Sequence, residues 1–179
     1  MIVLFLGILF LCYSHVTLSQ NSTGDYPDAN EVMKKLPQTF LLHSLGNYSS
    51  LICGYQHFYN ETLGAQTYRK YNLIFKYPKQ IYSQPLYVRN VTGYKIFMDT
   101  DPDPWIPATF SHEILFSNMK SCMITRNPNP RFPKACSLMV TKECFSAPLI
   151  RCRQKFEQHC KGPAFNYSIT NCPYPETLI

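Results

Sequence analysis

The sequence predicts an all-β fold, an eight-stranded antiparallel barrel with a short N-terminal helix and a C-terminal helix packed outside it. Eight short stretches of strand-like composition follow one another, and turn residues bound each of them. Aromatic residues make up 15% of the chain, which favours β structure or an aromatic-lined cavity. A helical pattern with two cysteines on its apolar stripe follows the last strand, so we expect this helix to be fastened to the barrel.

A short helix and eight strands precede the C-terminal helix. The first helix is predicted over Asp28–Leu36, and Pro37 ends it because proline lacks the N–H that a helix interior needs. This number of strands is typical of a small closed barrel. The predicted strands are Gln38–Ser44, Leu51–Tyr59, Thr67–Tyr77, Gln84–Val91, Tyr94–Asp99, Ala108–Ser117, Ser121–Thr125 and Ala135–Thr141.

The C-terminal helix has a predicted start and a predicted end. Ser146 is the predicted cap, and Pro148 lies in the predicted first turn, where proline is tolerated. Gly162 is predicted to end the helix. Between them, apolar residues recur at helical spacing: Leu149, Cys152, Phe156 and Cys160.

A hydrophobic leader precedes these elements. Residues 2–12 are apolar without interruption, and the small side chains of Thr17 and Ser19 suit cleavage by signal peptidase. The run is shorter than the roughly 20 residues that a membrane-spanning helix needs, and no later segment supplies them. We therefore expect residues 1–19 to be a signal peptide and residues 20–179 to be one secreted domain without a membrane anchor.

Glycosylation signals and charge agree with secretion. Tripeptides of the form Asn-x-Ser/Thr, which accept N-linked sugars at exposed positions, occur more often than the composition predicts by chance. The formal net charge is +6, but no basic run exceeds two residues, so nucleic acid is not an expected partner. The predicted glycosylation sites are Asn21, Asn47, Asn60, Asn90 and Asn166.

Catalytic patterns are missing from the sequence. It has no Gly-x-Ser-x-Gly, His-Glu-x-x-His, P-loop or Cys-x-x-Cys spacing, and its histidines are dispersed among different elements. We therefore expect a binding protein, with no enzymatic activity, cofactor or bound metal.

Seven cysteines follow the leader, and five of them lie between Cys136 and Cys172. A metal cluster is one interpretation, but secretion and a spacing unlike that of zinc sites favour disulfides. Seven cysteines permit three bridges and leave one thiol over, and spacing alone does not choose the partners. The members of the alternative metal cluster would be Cys144, Cys152, His159 and Cys160.

Six signposts occur in order along the chain, and no single one is specific. Together their order and spacing resemble tick salivary lipocalins of the histamine-binding-protein family, from about Asp28 to Cys172. The signposts are the Asp28-Ala opening of a helix that reaches Leu36, Cys53 early in the second strand, Phe116-Ser-Asn-Met-Lys-Ser-Cys122-Met-Ile, Cys136-Ser-Leu-Met-Val, Cys152-Arg-Gln-Lys-Phe, and Tyr167 five residues before Cys172.

The resemblance implies a lipocalin barrel with the family's two shared disulfides, Cys53–Cys172 and Cys122–Cys152. With these pairs taken, Cys136–Cys160 is the expected third bridge and Cys144 the free thiol. The sequence itself leaves open which of these three cysteines pair. We expect a monomer, and a disulfide-linked dimer through Cys144 is the alternative.

A lipocalin barrel holds its ligand inside, so inward side chains form the predicted site. If Cys122 and Cys136 point outward to the helix, the residues beside them point inward. The sixth strand places Phe110, His112, Ile114 and Phe116 on one apolar face, and an outward Asn90 would turn Arg89 inward. The predicted ligand-binding residues are Tyr71, Leu73, Phe75, Arg89, Ile96, Met98, Phe110, His112, Ile114, Met123, Ser137 and Met139.

The resembled family also implies where an amine ligand would find its counter-charge. Amine-binding members pair the ammonium with carboxylates inside the barrel, because an unpaired buried charge is costly. The three matching positions here hold Met123, His112 and Ser137, and Met139 replaces the customary tryptophan of the last strand. The sequence therefore favours an apolar ligand with one polar end, such as a sterol, a fatty acid or an eicosanoid.

The leading hypothesis is a secreted salivary lipocalin that captures such a lipophilic ligand and dampens host inflammation or immunity. The role in the host is implied by the resemblance. Two alternatives stay open. One is sequestration of histamine or another biogenic amine. The other is binding of a host immune protein or cell through the outer loops at 99–107 and 126–133, with the cavity serving only as core.

Overall fold

Ten strands and two helices make up the computed structural model, which describes residues 24–103, 105–169 and 172. The predicted signal peptide and the sequon at Asn21 lie outside these residues. In chain order the elements are β1 (Gly24–Asp25), α1 (Ala29–Lys35), β2 (Gln38–Ser44), β3 (Cys53–Leu63), β4 (Gln66–Lys76), β5 (Ile81–Thr92), β6 (Lys95–Asp99), β7 (Phe110–Ser117), β8 (Cys122–Arg126), β9 (Cys136–Val140), α2 (Ile150–His159) and β10 (Phe165–Asn166).

Strands β2 to β9 form a closed antiparallel barrel, so the predicted fold is confirmed. Each strand pairs with the next one along the chain, and the pairing of β9 with β2 closes the ring. The short strands β1 and β10 add to β7 and β2 from outside the eight-stranded ring. Closure leaves no unpaired edge within the ring itself.

Tight turns set the register of the long strands. β3 and β4 pair from Cys53–Lys76 to Leu63–Gln66, around a two-residue turn at Gly64 and Ala65. Gly64 adopts a φ of 61°, in the left-handed region that glycine enters without steric cost. The predicted strands correspond one to one with β2–β9, and their ends differ by a few residues.

Helix α1 closes one end of the barrel, which we call the closed end. The Asp28 carboxylate caps it by accepting hydrogen bonds from the backbone N–H groups of Asn30 (2.8 Å) and Glu31 (3.4 Å). Its buried side chains belong to the same apolar cluster as strand residues from inside the barrel: Ala29, Val32, Met33, Leu36, Ile96, Ile114 and Met123.

The opposite end, which we call the open end, is formed by four loops. Their described residues are 45–52, 77–80, 100–103 with 105–109, and 127–135, which join β2 to β3, β4 to β5, β6 to β7 and β8 to β9. The antiparallel order brings all four loops to one end of the ring.

Helix α2 packs outside the barrel against β8 and β9, as predicted, but it starts later than predicted. Its N-cap is Leu149, without a side-chain capping bond, and the predicted cap Ser146 and first-turn Pro148 precede the helix. Proline disfavours helical geometry in the residue before it, so Ala147 stays outside the helix and Ser146 does not cap it. The buried side chains Cys152 and Phe156 face the barrel.

Three disulfides join these elements: Cys53–Cys172, Cys122–Cys152 and Cys136–Cys160. Two of them fasten α2 to the starts of β8 and β9. All three expected pairs are thus present, and Cys144 is a half-buried free thiol. Since Cys152 and Cys160 are oxidised, their thiolates do not form the alternative metal cluster.

One predicted phase is wrong at the end of β7. Phe116 was expected to face inward with Ile114, but it packs outside the barrel in the cluster beneath α2. The register of β7 against β8 shifts between these two residues. Such a bulge inserts one extra residue and reverses the alternation beyond it.

Neither helix that the structure describes is long and apolar enough to cross a membrane.

Candidate ligand-binding site

A cavity of about 490 Å³ lies inside the barrel toward its open end. Its volume is within the range of small-molecule sites. Residues from β2 to β9 and from the open-end loops surround it: Leu41, Tyr48, Gly54, Tyr55, Gln56, Tyr71, Leu73, Phe75, Gln84, Leu86, Met98, Thr109, Phe110, Ser111, His112, Thr125, Asn127, Asn129, Phe132, Ala135, Ser137 and Met139.

Eight of the twelve residues predicted from the sequence line this cavity. They alternate along their strands as expected, and the cavity-facing pairs Tyr71–Leu86 and Leu73–Gln84 lie directly opposite each other in β4 and β5. The eight are Tyr71, Leu73, Phe75, Met98, Phe110, His112, Ser137 and Met139.

Three further predicted residues, Ile96, Ile114 and Met123, lie below the cavity rather than in its wall. Each is 0% exposed and packs with α1 in the core of the closed end. Periodicity separates the inside of a barrel from its outside, but it contains no information on depth along the barrel axis. These residues therefore belong to the core beneath the cavity.

The prediction that Arg89 turns into the cavity is wrong. Its guanidinium donates to the backbone carbonyls of Pro102 (2.7 Å) and Asp101, and so binds the loop between β6 and β7. The pairing of β5 with β6 shifts between Val88 and Asn90, so Arg89 is the extra residue of a bulge. Alternation from the neighbouring Asn90 therefore does not apply to it.

A neutral polar cluster lies deep in the cavity. The Tyr71 hydroxyl donates to Oε1 of Gln56 at 2.8 Å, and both side chains are almost fully buried. The Gln56 amide nitrogen contacts the Met123 sulfur at 3.5 Å, a weak acceptor. Burial also raises the pKa of Tyr71, so its phenol stays protonated and keeps its hydrogen bond to Gln56, while the phenolic oxygen remains an acceptor.

His112 adds an unsatisfied nitrogen to this cluster. Its ring lies 5.5 Å from the Tyr71 ring, and its buried Nε2 has no hydrogen-bond partner among the described residues. Burial lowers the pKa of His112 to about 4, because desolvation disfavours the imidazolium, although the nearby Glu113 charge opposes this. The imidazole is neutral at physiological pH, and a buried nitrogen without a partner requires a ligand atom or a water molecule.

The part of the wall that the structure describes carries no charged side chain. Among the described residues that line the cavity, none is Asp, Glu, Lys or Arg. The buried Glu113 forms ion pairs with Lys95 (3.2 Å) and Arg126 (2.6 Å) instead. A charged ligand group would therefore meet no opposite charge in this wall.

The second buried carboxylate, Asp99, organises a loop. It accepts hydrogen bonds from the Thr109 hydroxyl (2.6 Å), the Thr109 backbone N–H (3.1 Å) and the Asp101 N–H (3.0 Å). These bonds, led by that of the Thr109 hydroxyl, lower the pKa of Asp99 to about 2. The carboxylate oxygens of Asp99 therefore already accept hydrogen bonds from the loop that borders the cavity.

Sequence reasoning missed Gln56 and the loop residue Phe132. The signal for Gln56 was the β3–β4 hairpin, because its turn at Gly64 pairs Gln56 directly with Leu73, and paired residues share a face. Phe132 lies in a proline-rich loop without strand periodicity, so no alternation could have placed it at the cavity.

Comparisons with known proteins agree with this architecture. The family model described as tick histamine binding protein matches residues 57–174, more than half of the chain. The crystal structure of AM182 in complex with serotonin aligns with a TM-score of 0.56 and 20% identity, covering 84% of this chain and 95% of that one, which shows a shared fold. No curated protein sequence matches significantly. The chain therefore belongs to the tick histamine-binding protein family.

Proposed function

We propose that this chain is a secreted lipocalin that binds a small lipophilic molecule with one polar end. The observation that carries the proposal is the wall of the cavity, which combines aromatic, aliphatic and neutral polar side chains and has no charged side chain among the described residues. Tyr71, Gln56 and His112 supply neutral hydrogen-bonding groups at its depth. Such a site satisfies a hydroxyl or a carbonyl and leaves the rest of the ligand in apolar surroundings.

Sterols, fatty acids and eicosanoids are the candidate ligands. A sterol hydroxyl fits the neutral imidazole of His112 as it stands. The carboxylate of a fatty acid or an eicosanoid would instead draw a proton onto His112, against the burial that lowers its pKa to about 4. The flexible side chains of Met98 and Met139 can change rotamer to fit the shape of the ligand at little cost in free energy.

The first experiment identifies the ligand. Native mass spectrometry of the folded protein, followed by extraction, should release a lipid, and titration with cholesterol, arachidonate and a leukotriene should show saturable binding. Substitution of Ser137 by tryptophan would fill the cavity and abolish binding. Ser83→Trp is the matched control, because Ser83 lies exposed on the outer face of β5, where its hydroxyl donates to Asn72.

Biogenic-amine binding is the second candidate. The family and the structural likeness to the AM182 serotonin complex favour it. Without a carboxylate in the described wall, an ammonium would depend on aromatic faces such as Tyr71 and Phe75. Tight binding of histamine or serotonin together with no affinity for any lipid would overturn the lipid proposal.

A role in the host completes the proposal: the loaded protein dampens inflammation or immunity where the tick feeds. Exposed side chains at four predicted sequons, Asn47, Asn60, Asn90 and Asn166, are compatible with glycosylation during secretion. The alternative is that the outer loops bind a host protein directly. Ser137→Trp separates these two mechanisms, since host-cell effects that survive a filled cavity would show that the surface acts alone.

A further inference from the structure

Exposed apolar side chains are concentrated at the open end of the barrel. Eleven large apolar side chains are exposed among the described residues, and six of them lie in or beside the loops of this end. Trp105 is 90% exposed, the highest value of the eleven. The six form what we call the apolar rim: Ile81 (46%), Tyr82 (55%), Trp105 (90%), Ile106 (38%), Phe110 (37%) and Phe132 (54%).

Two loops of the rim repeat one local design. One contains Asp101-Pro-Asp-Pro-Trp105 and the other Asn127-Pro-Asn-Pro-Arg-Phe132, so each leads through alternating prolines to an aromatic residue. In both, side-chain oxygens accept hydrogen bonds from N–H groups two residues later, which fixes the backbone. The backbone N–H of Asp103 donates to Asp101 (2.7 Å), and that of Trp105 donates to Asp103 (2.9 Å). In the other loop, the N–H of Asn129 donates to Asn127 (2.9 Å), and that of Arg131 donates to Asn129 (3.0 Å).

Ordered loops with exposed aromatic residues need an explanation. An aromatic side chain that stays in water does not stabilise the fold. A turn that holds it outward reduces the conformational entropy that is lost when the side chain is buried in a binding partner or a membrane. Both loops flank the paired strands β7 and β8, so Trp105 and Phe132 lie on the same side of the open end. Large exposed apolar patches of this kind mark surfaces that bind a membrane or a partner.

The rim is continuous with the cavity. Phe110 and Phe132 belong to the rim and also line the cavity. A molecule that leaves an apolar phase at the rim would therefore enter the barrel along aromatic side chains. This continuity favours a lipid phase over a protein as the occupant of the rim.

Charge also favours a membrane with anionic lipids. Lys79, Arg131 and Lys134 lie in the loops of this end, and Arg89 binds the carbonyls of the loop that holds Trp105. The three loop cations exceed the two carboxylates of the same loops, Asp101 and Asp103, whose oxygens accept backbone N–H groups. Cations beside exposed aromatic residues suit the anionic headgroup region of a bilayer.

The predicted glycan at Asn47 fits an orientation in which one side of the open end faces the bilayer. Asn47 lies in the loop between β2 and β3, which the strand order places across the ring from the loop between β6 and β7. Sugars there would stay in water while the loop that holds Trp105 approaches the membrane, and the loop with Phe132 lies between the two because β9 pairs with β2.

We propose that the open end docks peripherally on anionic phospholipid membranes, with Trp105 and Phe132 inserted at the boundary between headgroups and acyl chains. This docking does not depend on which ligand fills the cavity. Tryptophan and phenylalanine are the side chains that peripheral proteins place at this depth.

The single tryptophan of the chain makes the test direct, because Trp105 alone reports on its surroundings. Vesicles of phosphatidylcholine with phosphatidylserine should shift its emission to the blue, and brominated acyl chains should quench it. Phe132→Ser should weaken vesicle binding about tenfold or more, as expected for loss of one buried phenyl group. Raised salt should weaken it further.

Ile150→Ser is the matched control. Ile150 is 75% exposed at the start of α2, outside the rim, so its loss should leave vesicle binding unchanged. Unchanged circular dichroism and melting temperature would show that both variants are folded. An emission spectrum unaffected by either vesicle type would overturn the proposal, as would equal losses in the two variants, and the rim would then be assigned to a protein partner.

Discussion

The two ends of the barrel are built from similar residues but put them to different uses. At the closed end, Ile96, Ile114 and Met123 are 0% exposed because α1 covers them. At the open end, no helix of the described chain covers the ring, and comparable apolar side chains line a cavity of about 490 Å³ or face solvent. Apolar composition alone therefore does not distinguish the core from the binding site. The presence of a covering helix, α1, distinguishes them.

The largest loss of stability should come from truncating a buried side chain at the closed end. Ile114→Ala removes fully buried methyl groups that α1 prevents from repacking, so we expect a loss of about 2–5 kcal/mol in the free energy of unfolding. Urea denaturation of the variant beside the wild-type protein measures this loss.

Phe110→Ala at the open end should have the opposite pattern of effects on stability and ligand binding. Phe110 is 37% exposed at the rim of the cavity, so its truncation should cost less than about 1 kcal/mol of stability. It should weaken ligand binding, whereas the Ile114 variant, where folded, should keep it. Equal destabilisation by both substitutions would show that the two ends do not differ as described.

Sequence periodicity predicted the inside and the outside of the barrel well, because alternation is imposed by strand geometry itself. It placed Met139 and Ser137 of β9, and Tyr71 of β4, on the cavity side. It failed at Phe116 and Arg89, each beside a register shift. A bulge depends on how two strands pair, so the pattern of either strand alone does not contain it.

Depth along the barrel also escaped prediction. Ile96 and Met98 share one face of β6, yet only Met98 lines the cavity, because α1 packs against the Ile96 end. Which end a helix covers follows from tertiary packing of the whole chain. Two of the disulfide pairs, by contrast, followed from the family resemblance, and Cys136–Cys160 was expected once those two were assigned; all three are present.

His112, beside the cavity, should make the free energy of unfolding depend on pH. In the unfolded chain His112 titrates near its ordinary pKa of 6.5, whereas burial holds its pKa at about 4 in the folded protein. The folded state thus binds fewer protons, and stability falls as pH drops from about 6.5 to 4. From these two pKa values we expect a loss of roughly 3 kcal/mol across that interval.

Urea denaturation at several pH values, for wild type and for His112→Gln, measures this contribution. Other titrating groups are common to both proteins, so the difference in pH dependence isolates His112. The glutamine variant should lose less stability in acid. The same acid dependence in both proteins would show that the imidazole is not held neutral beside the cavity.

A further prediction tests how α1 is held over the closed end. Asp28→Ala removes the carboxylate that accepts the N–H groups of Asn30 and Glu31, and the loss of such a cap costs about 1 kcal/mol. Asp28→Asn keeps an acceptor in the same place and should cost only a few tenths of a kcal/mol. Amide hydrogen exchange should accelerate in α1 of the alanine variant and stay slow in the strands at the open end. Faster exchange throughout the barrel would mean that α1 opens only with global unfolding, and that the closed end is part of the barrel rather than a cover placed on it.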